Sequence, residues 1–447
     1  MELLLGNCLD RLKDLEDNSV DAIVTDPPYG LSFMGKKWDY DVPSKEIWKE
    51  VLRVLKPGGH ALVACGTRTQ HRMAVNLEDA GFEIRDIVAW VYGSGFPKSL
   101  NIGKSIEAKE LTGSSNKTAF KYLDGKKTET KLGYNKNNKQ GDFRPNDYNG
   151  RETTVEHILH TESAKKWEGW GTALKPAMEL WTLCRKPLAE PTVAENVLKY
   201  GTGGINIDGC RVGTDTRTYK GMSSNKPEVG TFRDDNWKPK NIEVTATGRF
   251  PANLIHDGSD EVVGLFPVCK QAKNVGDFKQ LESMRFSAGG EGVKKQKQTN
   301  GEIISASASR FFYCAKASKR ERNKGLENME KKAITNAKGN GLGRVCNICG
   351  ANQLNPCNCK NNTWILPKKN QNNHPTVKPI ALMEYLVKLV SREGQVVLDP
   401  FMGSGTTGMA CKKLDREFIG IEMMPEYMEI AKARIDGVKK EDQLNMI

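Results

Sequence analysis

The chain has 447 residues, room for two or three domains, and no apolar run long enough to cross a bilayer, so a helical integral membrane protein is excluded. Its start, MELLLGNCLD, lacks the basic residues and cleavage site of a secretory signal, which predicts a cytoplasmic protein with no membrane partner. Eleven cysteines in that compartment point to thiols or metal ligands rather than disulfides, and a net charge of +12 suits phosphate neutralisation, although a solvated lysine-rich surface accounts for it too.

Leu3 to Leu5 predict a short strand, and GNCLD a turn into an amphipathic helix through Leu9, Leu12 and Leu15. In VDAIVTDPPYG, Ala22, Ile23 and Val24 read as a buried strand. Pro27 and Pro28 end it, because neither can donate a ladder hydrogen bond. The result is a rigid corner, Asp26-Pro27-Pro28-Tyr29, carrying a carboxylate, a carbonyl and an aromatic face at a strand's carboxyl end, where open α/β sheets bind ligands. A helix follows through Ile47, Trp48, Val51, Leu52 and Leu55, stopped by Pro57 and Gly58. ALVAC (61–65), a helix to Ala80 and a strand from Glu83 complete an alternation that predicts a parallel sheet.

From about residue 105 to 166 periodicity is lost, and the Asn-, Lys- and Gly-rich stretch reads as a long loop insertion. His157 and His160 have helix-ligand spacing, but a solvated helix face explains them better. Residues 172–188 return to strand character. Between 189 and 369, GRFPANLIHDG and SASRFFYCAKASKRERN mix aromatic and basic residues, as a nucleic-acid surface does; core beside a basic loop fits equally. Cys346, Cys349, Cys357 and Cys359 are spaced for a tetrahedral structural zinc, the second pair departing from the usual two-residue gap.

HPTVKP (374–379) leads into a helix, then VVLDPFMGSGTTG reads as strand, glycine turn and helix, and REFIGIE as a second strand ending in Glu422. Glycines permit close backbone approach to a ligand, and an acid about 20 residues on suits ribose hydroxyls. Asp399 is unfavourable beside a pyrophosphate and favourable beside a sulfonium, so the loop suits S-adenosylmethionine. One helix and a tail after Glu422 cannot complete a sheet. The missing strands must therefore come from the N-terminal region, with Asp26 facing the cofactor's methyl group.

On TDPPYG (25–30), HPTVKP and LDPFMGSGTT (398–407), the sequence resembles amino-methylating DNA methyltransferases of the β arrangement, in which the catalytic motif precedes the cofactor motif. Residues 1–188 and 373–435 carry the likeness; a phage or prophage origin suits the unmatched middle. The resemblance implies an α/β, Rossmann-like methyltransferase sheet with permuted motif order and an inserted irregular target recognition domain holding the small zinc loop. It divides the chain into a catalytic half (1–188), a recognition region (189–372, zinc loop 346–359) and a cofactor half (373–447).

It also implies roles. Asp26 and the Pro27 carbonyl hold the target amino group, Pro28 completes the corner, and Tyr29 stacks on the flipped base. Asp399, Pro400, Phe401, Gly403, Ser404, Gly405, Thr406, Thr407 and Glu422 surround the cofactor. Thr376, Lys378 and Pro379 contact its methionine end, and Asn7 and Cys8 its adenine, with Asn7 standing where many members have Asp. Trp90 and Tyr92 lie where the family has a base-flanking aromatic; core packing fits them as well. Asp26 favours adenine N6 in duplex DNA over cytosine N4; RNA methylation and a non-catalytic nucleic-acid binder are the other readings. A second copy of the chain and a cognate restriction endonuclease are compatible partners.

Overall fold

In the computed structural model, the described residues are 1–31, 39–95, 99–115, 125–131, 151–222, 241–272, 303–315, 321–327, 329, 332–333, 345–346, 364–365, 369–372, 374 and 376–438. They fall into two compact units, one of residues 1–93, 178–332 and 370–447, the other of residues 94–177 and 333–369.

The first unit is built on strands β1 (Glu2–Leu5), β2 (Val20–Thr25), β3 (Leu55–Gly66), β4 (Glu83–Val91), β5 (Met178–Arg185), β6 (Leu254–His256), β7 (Tyr313–Cys314), β8 (Val396–Asp399) and β9 (Glu417–Glu422). Their order across the sheet is β1-β9-β8-β2-β3-β5-β4-β6-β7. The two C-terminal strands thus lie between β1 and β2, with Val397 opposite Ala22 and Leu398 opposite Ile23. This is the junction the sequence required. All pairings are parallel except those of β5, which runs antiparallel between β3 and β4. The expectation of a parallel sheet therefore fails at one strand, because hydrophobic periodicity carries no information on direction.

Every residue of β2 is buried, as in a strand covered on both faces. Alternate residues divide between two cores. Ala22 and Val24 join Leu382, Leu386 and Val387 of α5 (Ile380–Val390). Ile23 joins Trp48 and Val51 of α2 (Lys45–Val54) and Met73 and Leu77 of α3 (Gln70–Ala80). β3 begins at Leu55, earlier than Ala61. Its irregular start is held by the β5 extension: Gly58 N donates to Lys186 O at 3.1 Å and Lys186 N to Gly59 O at 2.9 Å. The aromatic-basic segments of the middle supply β6 and β7, where Ile255 is fully buried and Tyr313 stacks on Tyr385 at 4.0 Å, so core packing accounts for these two residues, while Phe250 is exposed.

In the second unit, parts of the expected loop form regular elements. A helix, α4 (Ile102–Thr112), is capped by Asn101, and a shorter one, Glu162–Lys166, by Thr161. Glu107 joins them, accepting from His160 N (2.9 Å), Thr161 N (3.1 Å) and Thr161 Oγ1 (2.8 Å). His157 ends a hairpin strand (Arg151–His157) rather than lying on a helix, and His160 is in the loop after it. Val345–Cys346 pairs with Trp364–Ile365 around the cysteine loop, but Cys349, Cys357 and Cys359 lie outside the described residues, so the zinc expectation rests on spacing alone. Among the described residues no helix is long and apolar enough to cross a membrane.

Candidate active site at the ends of two adjacent strands

β2 delivers its corner and β8 its glycine turn at the same edge of the sheet, one strand apart. A direct bond ties them: Thr25 Oγ1 donates to Asp399 Oδ1 at 2.6 Å. Thr407 Oγ1 reaches Asp399 Oδ2 at 2.6 Å, and Phe401 N reaches Oδ1 at 3.1 Å. Burial still pushes the Asp399 carboxyl up to about 6, against these donors.

The corner is held from behind. Tyr29 N and Gly30 N donate to Asp39 Oδ1 at 2.7 and 3.0 Å, and Thr69 Oγ1 donates to the Tyr29 carbonyl at 2.6 Å. Gly30 has φ +67°, and a Cβ there would lie 3.0 Å from the Asp41 and Val42 backbone, so glycine is required. On its open side the Tyr29 hydroxyl donates to Asp26 Oδ1 at 2.7 Å, with Glu179 Oε2 at 3.2 Å. Lys378 Nζ lies 2.6 Å from Asp26 Oδ2 and 3.1 Å from Glu179 Oε2. Burial alone would lower the Lys378 ammonium, but the two carboxylates reverse the effect and hold it above its ordinary value. Burial, with those same charges, raises the Tyr29 phenol.

The glycine turn opens α6 (Thr406–Lys413) with Gly403 and Gly405 at φ +54° and +77°. Glu422 closes it: Oε2 accepts from Gly403 N at 2.9 Å and Oε1 from Met424 N at 2.8 Å. Burial lifts the Glu422 carboxyl to about 7. Beneath the turn lies Arg434 of α7 (Pro425–Asp436), fully buried, donating to Ser404 O (2.6 Å), Ser404 Oγ (2.9 Å) and Thr406 Oγ1 (3.1 Å).

A profile of the family described as DNA methylase matches residues 20–433, from the start of β2 into α7. The chain belongs to the DNA methylase family. It is similar to the Type II methyltransferase M.HpaI of Haemophilus parainfluenzae, 52% identical over 69 residues, which are 15% of this chain and 22% of that protein. It is also similar to the Type II methyltransferase M2.DpnII of Streptococcus pneumoniae, 48% identical over 64 residues, 14% of this chain and 24% of that one. The chain therefore spans about a quarter of the length of these curated relatives, 22% and 24%. Among solved structures it resembles the M1.HpyAVI–SAM complex (16% identity, 97% of this chain and 98% of that one, TM-score 0.36). It likewise resembles PvuII DNA methyltransferase, described as cytosine-N4-specific (12% identity, 99% and 90%, TM-score 0.39).

In this DNA methylase the residues singled out from sequence fall into three groups. Asp26, Tyr29 and Lys378 form one hydrogen-bonded cluster, with Pro27 buried and Pro28 half-buried beside them. Phe401, Gly403, Gly405 and Glu422 form the turn at the neighbouring strand end, with Phe401 against Trp48 at 6.1 Å. Asp399, Pro400, Ser404, Thr406 and Thr407 are buried under that turn, and Asp399, Ser404, Thr406 and Thr407 are bonded within the protein. Asp399 thus ties β2 to the turn.

The rest lie apart from these groups or beside them. Asn7 caps α1 (Cys8–Leu12) through Leu9 N at 2.9 Å, and burial raises the Cys8 thiol to about 11. Pro379 caps α5 and Thr376 is exposed, its carbonyl 2.5 Å from His374 Nδ1. Trp90 is buried in the core against Tyr92, ring centroids 4.9 Å apart.

Sequence reasoning missed Glu179, Asp39 and Arg434. Glu179 left a signal, a single acid opening the apolar run MELWTLC. Since β5 is antiparallel, its first residues lie at the edge where the parallel strands end.

Proposed function

We propose that the protein transfers the methyl group of S-adenosylmethionine to the exocyclic N6 amino group of an adenine flipped out of duplex DNA. The observation that carries this reading is the 2.6 Å hydrogen bond from Thr25 to Asp399, which fixes the Asp26 corner beside the glycine turn. An acceptor for an amine and a turn suited to the cofactor are then neighbours.

The residues at the turn suit that cofactor. Each Glu422 oxygen accepts one backbone N–H and has a second lone pair to offer. Vicinal hydroxyls donating to it would favour the ionised form that burial disfavours. When bound, S-adenosylmethionine supplies an electrophilic methyl carbon on a cationic sulfur.

The corner prepares the nucleophile. An exocyclic amino nitrogen is weakly nucleophilic because its lone pair is delocalised into the ring. The Asp26 carboxylate and the Pro27 carbonyl accept its two N–H bonds, holding them out of the ring plane and localising the lone pair towards the methyl carbon. Positioning supplies much of the rate. The proton released from nitrogen passes to Asp26 or to water. The Tyr29 ring, tethered by its hydroxyl, offers a fixed face on which the extruded base stacks, offsetting part of the few kcal/mol of unstacking.

Asp26→Ala is expected to lose methyl transfer to DNA while equilibrium binding of S-adenosylmethionine stays within about threefold, since it removes an acceptor of the amine and leaves the turn intact. Near-normal transfer by that variant would refute the assignment. Mass spectrometry of nucleosides from treated DNA is expected to show N6-methyladenine. N4-methylcytosine would replace the base assignment, and label found in RNA alone would replace the substrate.

A further inference from the structure

Asp26 does not meet the site's solvent as a free carboxylate. Its Oδ1 is 2.7 Å from the Tyr29 hydroxyl and its Oδ2 is 2.6 Å from Lys378 Nζ. Both donors also lie within reach of one further acceptor, Glu179 Oε2, at 3.2 and 3.1 Å. The four groups close a ring with two carboxylates and one ammonium, and Lys378, the ammonium, is 9% exposed. Each Asp26 oxygen keeps a second lone pair, but an arriving amine must share the carboxylate with a charged donor at 2.6 Å and a hydroxyl at 2.7 Å, which hold its charge and its orientation. Resting on the reading that Asp26 holds the target amine, we propose that Glu179 is a positioning residue: it takes over the Tyr29 and Lys378 donors as the amine binds, freeing Asp26 to accept from the base.

The distances give the direction of the exchange. Both donors are nearer Asp26 than Glu179, by 2.7 against 3.2 Å and 2.6 against 3.1 Å, so the resting cluster favours Asp26. A tyrosine hydroxyl has one hydrogen and can serve one carboxylate at a time, whereas the ammonium has three and can bridge both. Without the Glu179 charge, Lys378 pairs with Asp26 alone and competes with the amine. The exchange moves hydrogen bonds only; no covalent bond is made or broken.

The test is methyl transfer by the full chain, from labelled S-adenosylmethionine to unmethylated genomic DNA, comparing Glu179→Gln, Tyr29→Phe, the double variant and Asp26→Ala. Glu179→Gln is expected to lower kcat by about 10- to 100-fold, the range of a hydrogen bond to a charged group, with KM for the cofactor within about threefold. Tyr29→Phe should lower kcat by roughly three- to tenfold, and the double variant should fall no more than about twofold below Glu179→Gln, since the hydroxyl acts through that carboxylate. A kcat for Glu179→Gln within about twofold of the parent, a loss confined to KM, or losses that multiply would overturn the proposal. If Glu179→Gln does not bind the cofactor, Glu179→Asp decides, since it keeps the charge and withdraws the acceptor from both donors: unchanged kcat overturns the exchange, and reduced kcat with unchanged KM supports it. An active Asp26→Ala would instead overturn the underlying assignment. An inactive Asp26→Ala beside a normal Glu179→Gln removes only the role of Glu179.

Discussion

Asp399 is an acid in a position where its charge is not wanted. It is 2% exposed, and three protein donors meet it, yet its carboxyl is still pushed up to about 6 by burial. A group whose folded value exceeds its unfolded one stabilises the fold at low pH, and that contribution is lost as pH rises through the folded value. For Asp399 the window runs from about 4 to about 6, and Glu422, raised to about 7, extends the same trend. Asparagine keeps the shape and can still accept from Phe401 N and a threonine hydroxyl. Asp399→Asn should therefore flatten the slope: its melting temperature relative to the parent rises between pH 4.5 and pH 7, by an amount set by the roughly 1.4 kcal/mol that a tenfold change in proton affinity represents. Melts at several pH values check this. Parallel curves for variant and parent would show that Asp399 is not the titrating group.

At the scale of elements, legibility tracked how strongly each residue type constrains the backbone. Prolines 27 and 28 and glycines 403 and 405 marked the two strand ends because few conformations admit them, and both ends are where the sequence put them. The direction of β5 was not legible, since an apolar run reads alike in either sense, and Glu179 was missed with it. Nor could spacing reveal that Lys378 meets Asp26, a contact between residues 352 apart in the chain. The Pro57-Gly58-Gly59 stretch reads as a stop in sequence but continues as strand, because its ladder is completed by Lys186, from a distant segment. Gly405 gives the clearest prediction at this scale. With φ +77° its Cβ would come 2.9 Å from Ala431 Cβ on α7, whereas Gly394, at φ +76°, has open space around it. Gly394→Ala should cost about 1–2 kcal/mol of backbone strain alone. Gly405→Ala adds overpacking and should cost roughly 2–4 kcal/mol. Urea denaturation of both variants separates the two effects, and equal losses would mean that α7 yields without cost.

Taken whole, the sheet of the first unit is closed by partners from opposite ends of the sequence. Glu2 lies opposite Ile419 and Leu5 opposite Glu422, while β8 separates that pair from β2. Such long-range pairings form only after large loops close, so this unit should fold slowly for its size. They also make its core indivisible. Residues 391–447 supply β8, β9, α6 and α7, and with them buried Val397, Leu398, Met409, Phe418, Ile421, Ile430 and Ile435. Each such side chain contributes about 1.5–3 kcal/mol on burial, so together, at roughly 10–20 kcal/mol, they match or exceed the roughly 5–15 kcal/mol that keeps a domain folded. A chain ending at Val390 would also leave both edges of the gap, at β1 and β2, without hydrogen-bonding neighbours. That fragment is expected to show no cooperative thermal transition, and co-refolding it with residues 391–447 should restore one. A fragment 1–390 that melted cooperatively within a few degrees of the full chain would mean that the N-terminal strands form a core of their own, and that the C-terminal strands dock on it instead of completing it.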